Sequence, residues 1–211
     1  MQQQQISERK ATFALLNRAE KLTNNWSQLQ SKSLSILYNI SNLVSQRMAS
    51  MECSSLLEAN HVQQNRLIYK QTQAIEDNIS KLDAILDLFS QVVNDWEQLD
   101  TEAARHITKS RLDLPTTPLP ISTESLIHVT RVHPTEARDM IANLLYMYKQ
   151  EYRQKRELRI LLPKQISDHD QFASLVSKWE KEACIDFQVE LDMFERIQLY
   201  KQVKKVLESV D

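Results

Sequence analysis

The chain has 211 residues, 42% of them hydrophobic, enough to bury the core of one domain or of two small ones. Its 26 basic and 28 acidic residues leave a net charge of −2, which excludes the strong positive excess of a dedicated nucleic-acid binder and confines any such role to a local patch. Glycine is absent throughout, and with it the phosphate-cradling loops of Walker and Rossmann sites and the nucleophile elbow.

The opening MQQQQISERK lacks an apolar leader core, and no apolar run reaches the about 18 residues of a membrane span, so neither export nor membrane insertion is expected. From Leu15 an apolar series falls at Ala19, Leu22, Trp26, Leu29, Ser33, Ile36, Ile40 and Leu43, in steps that alternate four and three. This is a heptad seam and predicts a helix from about Ser7 to Met48, weakened in its middle by Ser33. In the stretch MECSSLLEAN, Ser54 and Ser55 are placed to cap a new helix after a turn. A second stripe follows at Ile68, Ile75, Ile79, Leu82, Leu86, Phe89, Val93 and Trp96. Two matched stripes joined by a turn predict an antiparallel hairpin, residues 1–111, in which Leu22, Trp26, Leu29, Ile36 and Ile40 face the second series.

Residues 112–133 carry Pro115, Pro118 and Pro120 and read as a linker or an extended crossing segment. Thr117 before Pro118 has the form of a proline-directed phosphosite, but no basic residue follows at the usual distance and ordinary linker chemistry is the favoured reading. Pro134 suits the first turn of a third helix, which Pro163 should stop after Leu162. A fourth helix near His169–Lys181 presents Phe172, Leu175, Val176 and Trp179 on one face, and a fifth covers about Asp186–Val210. The expected fold is all-α: a long antiparallel helical hairpin followed by a smaller C-terminal bundle over residues 134–211.

Chemistry-bearing residues are scattered. Cys53 and Cys184 have no CxxC or Cys/His spacing, and His106, His128, His133 and His169 have no partner at metal spacing. No metal, no cofactor and no catalytic residue are therefore expected, and two isolated thiols fit a reducing compartment.

The third helix is the most informative element. Ile141, Leu144 or Leu145, Tyr148 and Tyr152 form its apolar stripe, while Lys149, Arg153, Lys155, Arg156 and Arg159 crowd a neighbouring face. A cation row beside tyrosines is one way to hold single-stranded nucleic acid, and a cationic amphipathic helix is one way to lie on a membrane. Two glutamates interrupt the row, and Glu151 is placed to pair with Lys155. Acidic stretches elsewhere, with eight carboxylates in Glu76–Glu102 and eight in Asp168–Glu195, favour protein contacts, within the fold or across an interface. A solvated face of weakly paired charges explains the row equally well. If the row is functional, it is expected to be a protein-docking surface, with Tyr148 and Tyr152 as anchors and Lys149, Arg153, Arg156 and Arg159 as a charged rim. Direct nucleic-acid binding and membrane binding are not expected.

On the same helix Leu144, Leu145, Met147, Tyr148, Lys149, Glu151, Lys155 and Arg156 spell LLxMYKxExxxKR. The pattern resembles the C-terminal motif of the cyclin-dependent kinase 2-interacting protein family. Trp26 and Leu29 in NNWSQL, and Leu175, Ser177 and Trp179 in SLVSKW, extend the resemblance in the same order. It implies a nuclear, and in part cytoplasmic, non-catalytic adaptor that acts in DNA replication and checkpoint signalling through cyclin-dependent kinase 2. It also implies a hetero-oligomer: residence in a nuclear AAA-type ATPase assembly beside a second small helical subunit, with roles in replisome turnover and ribosome maturation. The companion subunit's family has a similar plan, with a tryptophan in its first helix and a late basic-aromatic helix, and is an alternative match. A reading of another class, a coiled-coil structural subunit of a kinetochore or tethering complex, is equally compatible with the two long heptad stripes.

Overall fold

The computed structural model describes residues 2–52, 63–110 and 132–208. Among them are five helices, α1 (Gln2–Glu52), α2 (Gln64–Ser110), α3 (Pro134–Gln165), α4 (His169–Glu180) and α5 (Phe187–Glu208), and no strand. The all-α expectation holds, and the two long helices pack against each other. The expected caps Ser54 and Ser55, the proline segment and Thr117 lie outside the described residues.

The packing falls into two compact units, neither of them one run of sequence. Unit one takes residues 1–25, 92–149 and 184–211; unit two takes residues 26–91 and 150–183. In unit one, Thr12 Oγ1 lies 2.9 Å from His106 Nε2 and Arg18 pairs with Glu102, so α1 and α2 run antiparallel. Trp96 stacks on Tyr148 with ring centroids 5.3 Å apart, and Phe13 stacks on Tyr200 of α5. In unit two the same antiparallel sense brings the Gln71 amide to Ser50 Oγ at 3.1 Å, and sets Trp26 edge-on to Phe89 at 4.4 Å between centroids.

The heptad seams are largely buried, with one systematic departure. Leu15, Ala19, Trp26, Leu29, Ser33 and Ile40 are inside, but Leu22, Ile36 and Leu43, expected in the seam, are only half-buried, while Leu16, Thr23, Gln30, Leu37 and Val44, each one residue beyond a seam position, are in the core. The buried face of α1 is therefore one residue wider than a heptad seam along its whole length, as a helix that packs against more than one neighbour requires. On α2 Ile75, Leu82, Leu86, Phe89, Val93 and Trp96 of the expected stripe are buried while Ile68 and Ile79 are only half-buried, and Ile85, Val92, Leu99 and Ala103 widen it beyond a two-helix seam.

Helix ends follow their local chemistry, with one correction. Pro134 opens α3 as expected, and the Ala137 N–H donates to the His133 carbonyl at 2.9 Å. Pro163 does not stop α3, which continues to Gln165. The proline lies in the last turn, where only one internal hydrogen bond is lost; the Ile166 N–H still reaches the Leu162 carbonyl at 3.0 Å, and both of these side chains are buried. Asp168 caps α4 by accepting from the Asp170 and Gln171 N–H groups at 3.0 and 3.1 Å, while the Gln171 amide donates back to its other oxygen at 2.8 Å.

Truncating Trp26 or Phe89 to alanine should cost about 3–5 kcal/mol, as expected for a large aromatic removed from a closed core. Phe89→Leu should cost less than half of that. Urea unfolding followed by circular dichroism checks both, and equal losses in the two Phe89 variants would contradict the packing described.

Candidate functional site

The buried side of α3 repeats at Ala137, Ile141, Leu144, Tyr148, Glu151, Lys155, Leu158 and Leu162. Two charged residues thus occupy core positions of an otherwise apolar stripe. Tyr152, expected on that stripe, is half-buried beside it.

Lys155 is the centre of this arrangement, with no exposed side-chain surface. Its Nζ lies 3.1 Å from Glu151 Oε1, itself fully buried, and 3.7 Å from Glu182 Oε1. It donates to Gln30 Oε1 at 2.8 Å and to the Trp179 carbonyl at 3.2 Å. The rings of Trp179 and Phe89 close over it at 5.1 and 5.7 Å from their centroids. Further bonds tie the same residues together. Gln30 Nε2 donates to the Trp179 carbonyl at 3.0 Å, Trp179 Nε1 to Ser33 Oγ at 2.9 Å, and Trp26 Nε1 to Glu182 Oε1 at 2.7 Å. Ser33, a weak point in the heptad seam, is fully buried as a hydrogen-bond relay, donating in turn to the Gln30 carbonyl at 2.8 Å. Desolvation lowers the Lys155 pKa, and the two carboxylates oppose the shift. An amine so enclosed has no route to a substrate, so the cluster is structural.

Glu182 sits just beyond α4 with φ 43°, in the left-handed region that a side chain disfavours by about 1–2 kcal/mol. A chain without glycine has no neutral residue for this turn. The carboxylate's bonds to Trp26 and Lys155 hold the conformation.

A second buried carboxyl lies in unit one, where Tyr148 donates its hydroxyl to Glu190 of α5. Burial raises the Glu190 pKa, and the tyrosine bond partly opposes the rise. Nearby, the Asp186 N–H donates to the Met147 sulfur at 3.3 Å. Between α3 and α5 an open cavity of about 350 Å³ is lined by Glu136, Asp139, Asn143, Asp192 and Arg196, and the Arg196–Glu136 ion pair lies in its wall. Among the described residues no group of three or more His, Cys, Asp or Glu side chains could hold a metal ion.

The residues singled out on sequence grounds therefore divide in two. Leu144, Tyr148, Lys155 and Trp179 are in the core, Met147 is nearly so, and Leu145 is half-buried. On the exterior, Lys149 pairs with Glu97 at 2.6 Å, and Arg159 makes a two-pronged contact with Asp83 at 2.6 and 2.8 Å. Arg153 and Arg156 are exposed and have no carboxylate partner among the described residues; the Arg156 guanidinium lies 5.9 Å from the Tyr152 ring centre. Ile160 and Leu161, absent from the sequence-based set, are 68% and 42% exposed on the same helix. Both fall outside the three-and-four repeat that ends Lys155, Leu158 and Leu162, which is the signal that could have found them.

Lys155→Met should destabilise the fold by about 3–5 kcal/mol, because it leaves buried carboxylates without their cation. Adding Glu151→Leu and Glu182→Gln to it should recover most of that loss, and chemical denaturation of the single and triple variants checks the pair. Glu190→Gln should remove a pH dependence. A carboxyl whose folded pKa is raised contributes stability that is full below its ordinary value near 4.5 and is lost as pH rises through the folded value. The variant should therefore gain on the wild type as pH rises from 4 to 7, as read by melting temperature.

No described helix is long and apolar enough to cross a membrane. A search of curated proteins finds no match. The family model described as ribosome biogenesis protein C1orf109-like matches residues 9–194, a span that runs from α1 into α5 and includes every residue of the Lys155 cluster. With most of its length matched, the chain belongs to the C1orf109-like family of ribosome biogenesis proteins.

Proposed function

We propose that this chain is a non-catalytic helical adaptor: the companion small helical subunit of a nuclear AAA-type ATPase assembly, bringing that motor to ribosome-maturation clients. Membership of a ribosome biogenesis family carries the reading. The basic-aromatic motif on α3 supports it, because the alternative match for that motif is the companion subunit. Adaptor work asks for surface, not reaction chemistry, and a glycine-free chain has no loop of the kind that cradles nucleotide phosphates. In this reading the replication clients and a cyclin-dependent kinase are reached through the assembly, which resides in the nucleus and in part in the cytoplasm.

The docking surface in this proposal is the exposed part of the α3 comb, with Arg153 and Arg156 at its centre and Lys149, Tyr152 and Arg159 at its margin. The buried members of the motif, Tyr148 and Lys155 among them, hold α3 in place behind it.

Tagged protein recovered from nuclear extract should bring down AAA-type ATPase subunits and a second small helical protein. Recovery of ribosomal precursors with no ATPase would overturn the assembly reading. Arg153→Glu with Arg156→Glu should change stability by no more than about 0.5 kcal/mol, since both side chains are exposed, while partner recovery falls. Unchanged recovery, together with tight and salt-sensitive RNA binding by the wild type, would overturn the docking reading.

A further inference from the structure

The outer face of α3 in unit two reads Arg153, Arg156, Glu157, Ile160, Leu161 and Lys164, at helical intervals of three and four, and all six are exposed. Three cations against one carboxylate give it a net positive charge. The neighbouring cations differ: Arg159 is engaged by Asp83 and Lys155 by Glu151, whereas Arg153 and Arg156 have no carboxylate partner among the described residues. Ile160 lies about one turn beyond Arg156 and two beyond Arg153, and is 68% exposed.

Resting on the reading of this face as a docking surface, we propose that it receives an amphipathic acidic helix of a partner protein. The partner's apolar edge covers Ile160 and Leu161, its carboxylates meet Arg153 and Arg156, and a single cation meets Glu157. The combination selects this occupant over a polyanionic strand. A phosphate backbone gains nothing from two bare aliphatic side chains and is repelled by Glu157 in the middle of the face, whereas a helix with an apolar edge buries the first and pairs with the second. Arg156 is also partly pre-positioned: it lies against Tyr152, so less side-chain freedom is lost when a carboxylate arrives. Lys164 extends the positive charge one turn further, which sets the partner's acidic stretch at about three turns.

The test places a photoreactive benzoyl-phenylalanine at position 160 of the full-length chain, expressed in cells, and maps the cross-linked segment by mass spectrometry. The expected product is a segment of another protein with carboxylates in excess and apolar residues at helical spacing. Its yield should fall at least about tenfold when Arg153 and Arg156 are changed to Glu, and should return when the partner's facing carboxylates are changed to Lys. Cross-links to RNA, to a basic or neutral segment, or to a second copy of this chain overturn the acidic-helix assignment while leaving a docking surface in place. No cross-link at position 160, with partner recovery indifferent to the arginine reversal, overturns the docking reading itself. Wild-type circular dichroism and melting temperature in the reversed variant establish that a lost cross-link is not a lost fold.

Discussion

A lysine ammonium withdrawn completely from water sets the terms for half of this structure. Desolvating a charge costs several kcal/mol, and the cost is met only when every donor finds an acceptor and the charge finds a counter-charge. Lys155 meets both conditions with groups from three helices and the turn after α4. Gln30 comes from α1, Glu151 from its own helix, the Trp179 carbonyl from the end of α4, and Glu182 from the turn. Gln30, the Trp179 carbonyl and Glu182 are each fixed by another bond in the same set, so the spacing of α1, α3 and α4 within unit two is determined by polar geometry as well as by packing. An apolar interface of the same volume tolerates sliding; a lysine held by directional acceptors does not.

The same cluster explains why the motif on α3 is a poor guide to a surface. Its letters mix residues whose work is internal with residues that face outward, and charge type does not separate the two. Lys155 and Arg156 are adjacent in sequence, yet one is sealed among indole and phenyl rings and the other stands in solvent. A sequence pattern taken from such a helix mixes the constraints of the core with those of the exterior. The exposed pair Ile160 and Leu161 falls outside the pattern, although it lies on the face with the free arginines.

Much of the fold was legible in the sequence because it rests on short-range regularities: the two heptad stripes, the proline that opens α3, and the aspartate and aliphatic pattern of α4. What was not legible depends on distance. Nothing local distinguishes Lys155 from the other cations of its row, and Ser33 looks like a flaw in a seam until Trp179, 146 residues away, supplies the bond that accounts for it. The exchange of Ile36 for Leu37 belongs to a buried face one residue wider than a two-helix seam, which a strict seven-residue count ignores. Pro163 does not end its helix, because a proline in the final turn removes little that a helix end still has. The division into two units was hidden for another reason, since each draws on segments far apart in the chain.

The separations inside the lysine cluster also order events in time. Gln30 and Lys155 are 125 residues apart, and Trp26 and Glu182 are 156 apart. Contacts of such long range form late, after local helices and hairpins. During synthesis α1 and α2 are made well before Lys155, Trp179 and Glu182, so Gln30, Ser33 and the Trp26 indole N–H have none of these partners until the later part of the chain emerges. Until then the growing chain displays an aromatic, hydrogen-bond-hungry seam, the kind of surface that chaperones hold and that drives aggregation when nothing does. Every group that closes on Lys155, Glu182 included, is encoded in this one chain, so the core of unit two is sealed without a residue from another protein.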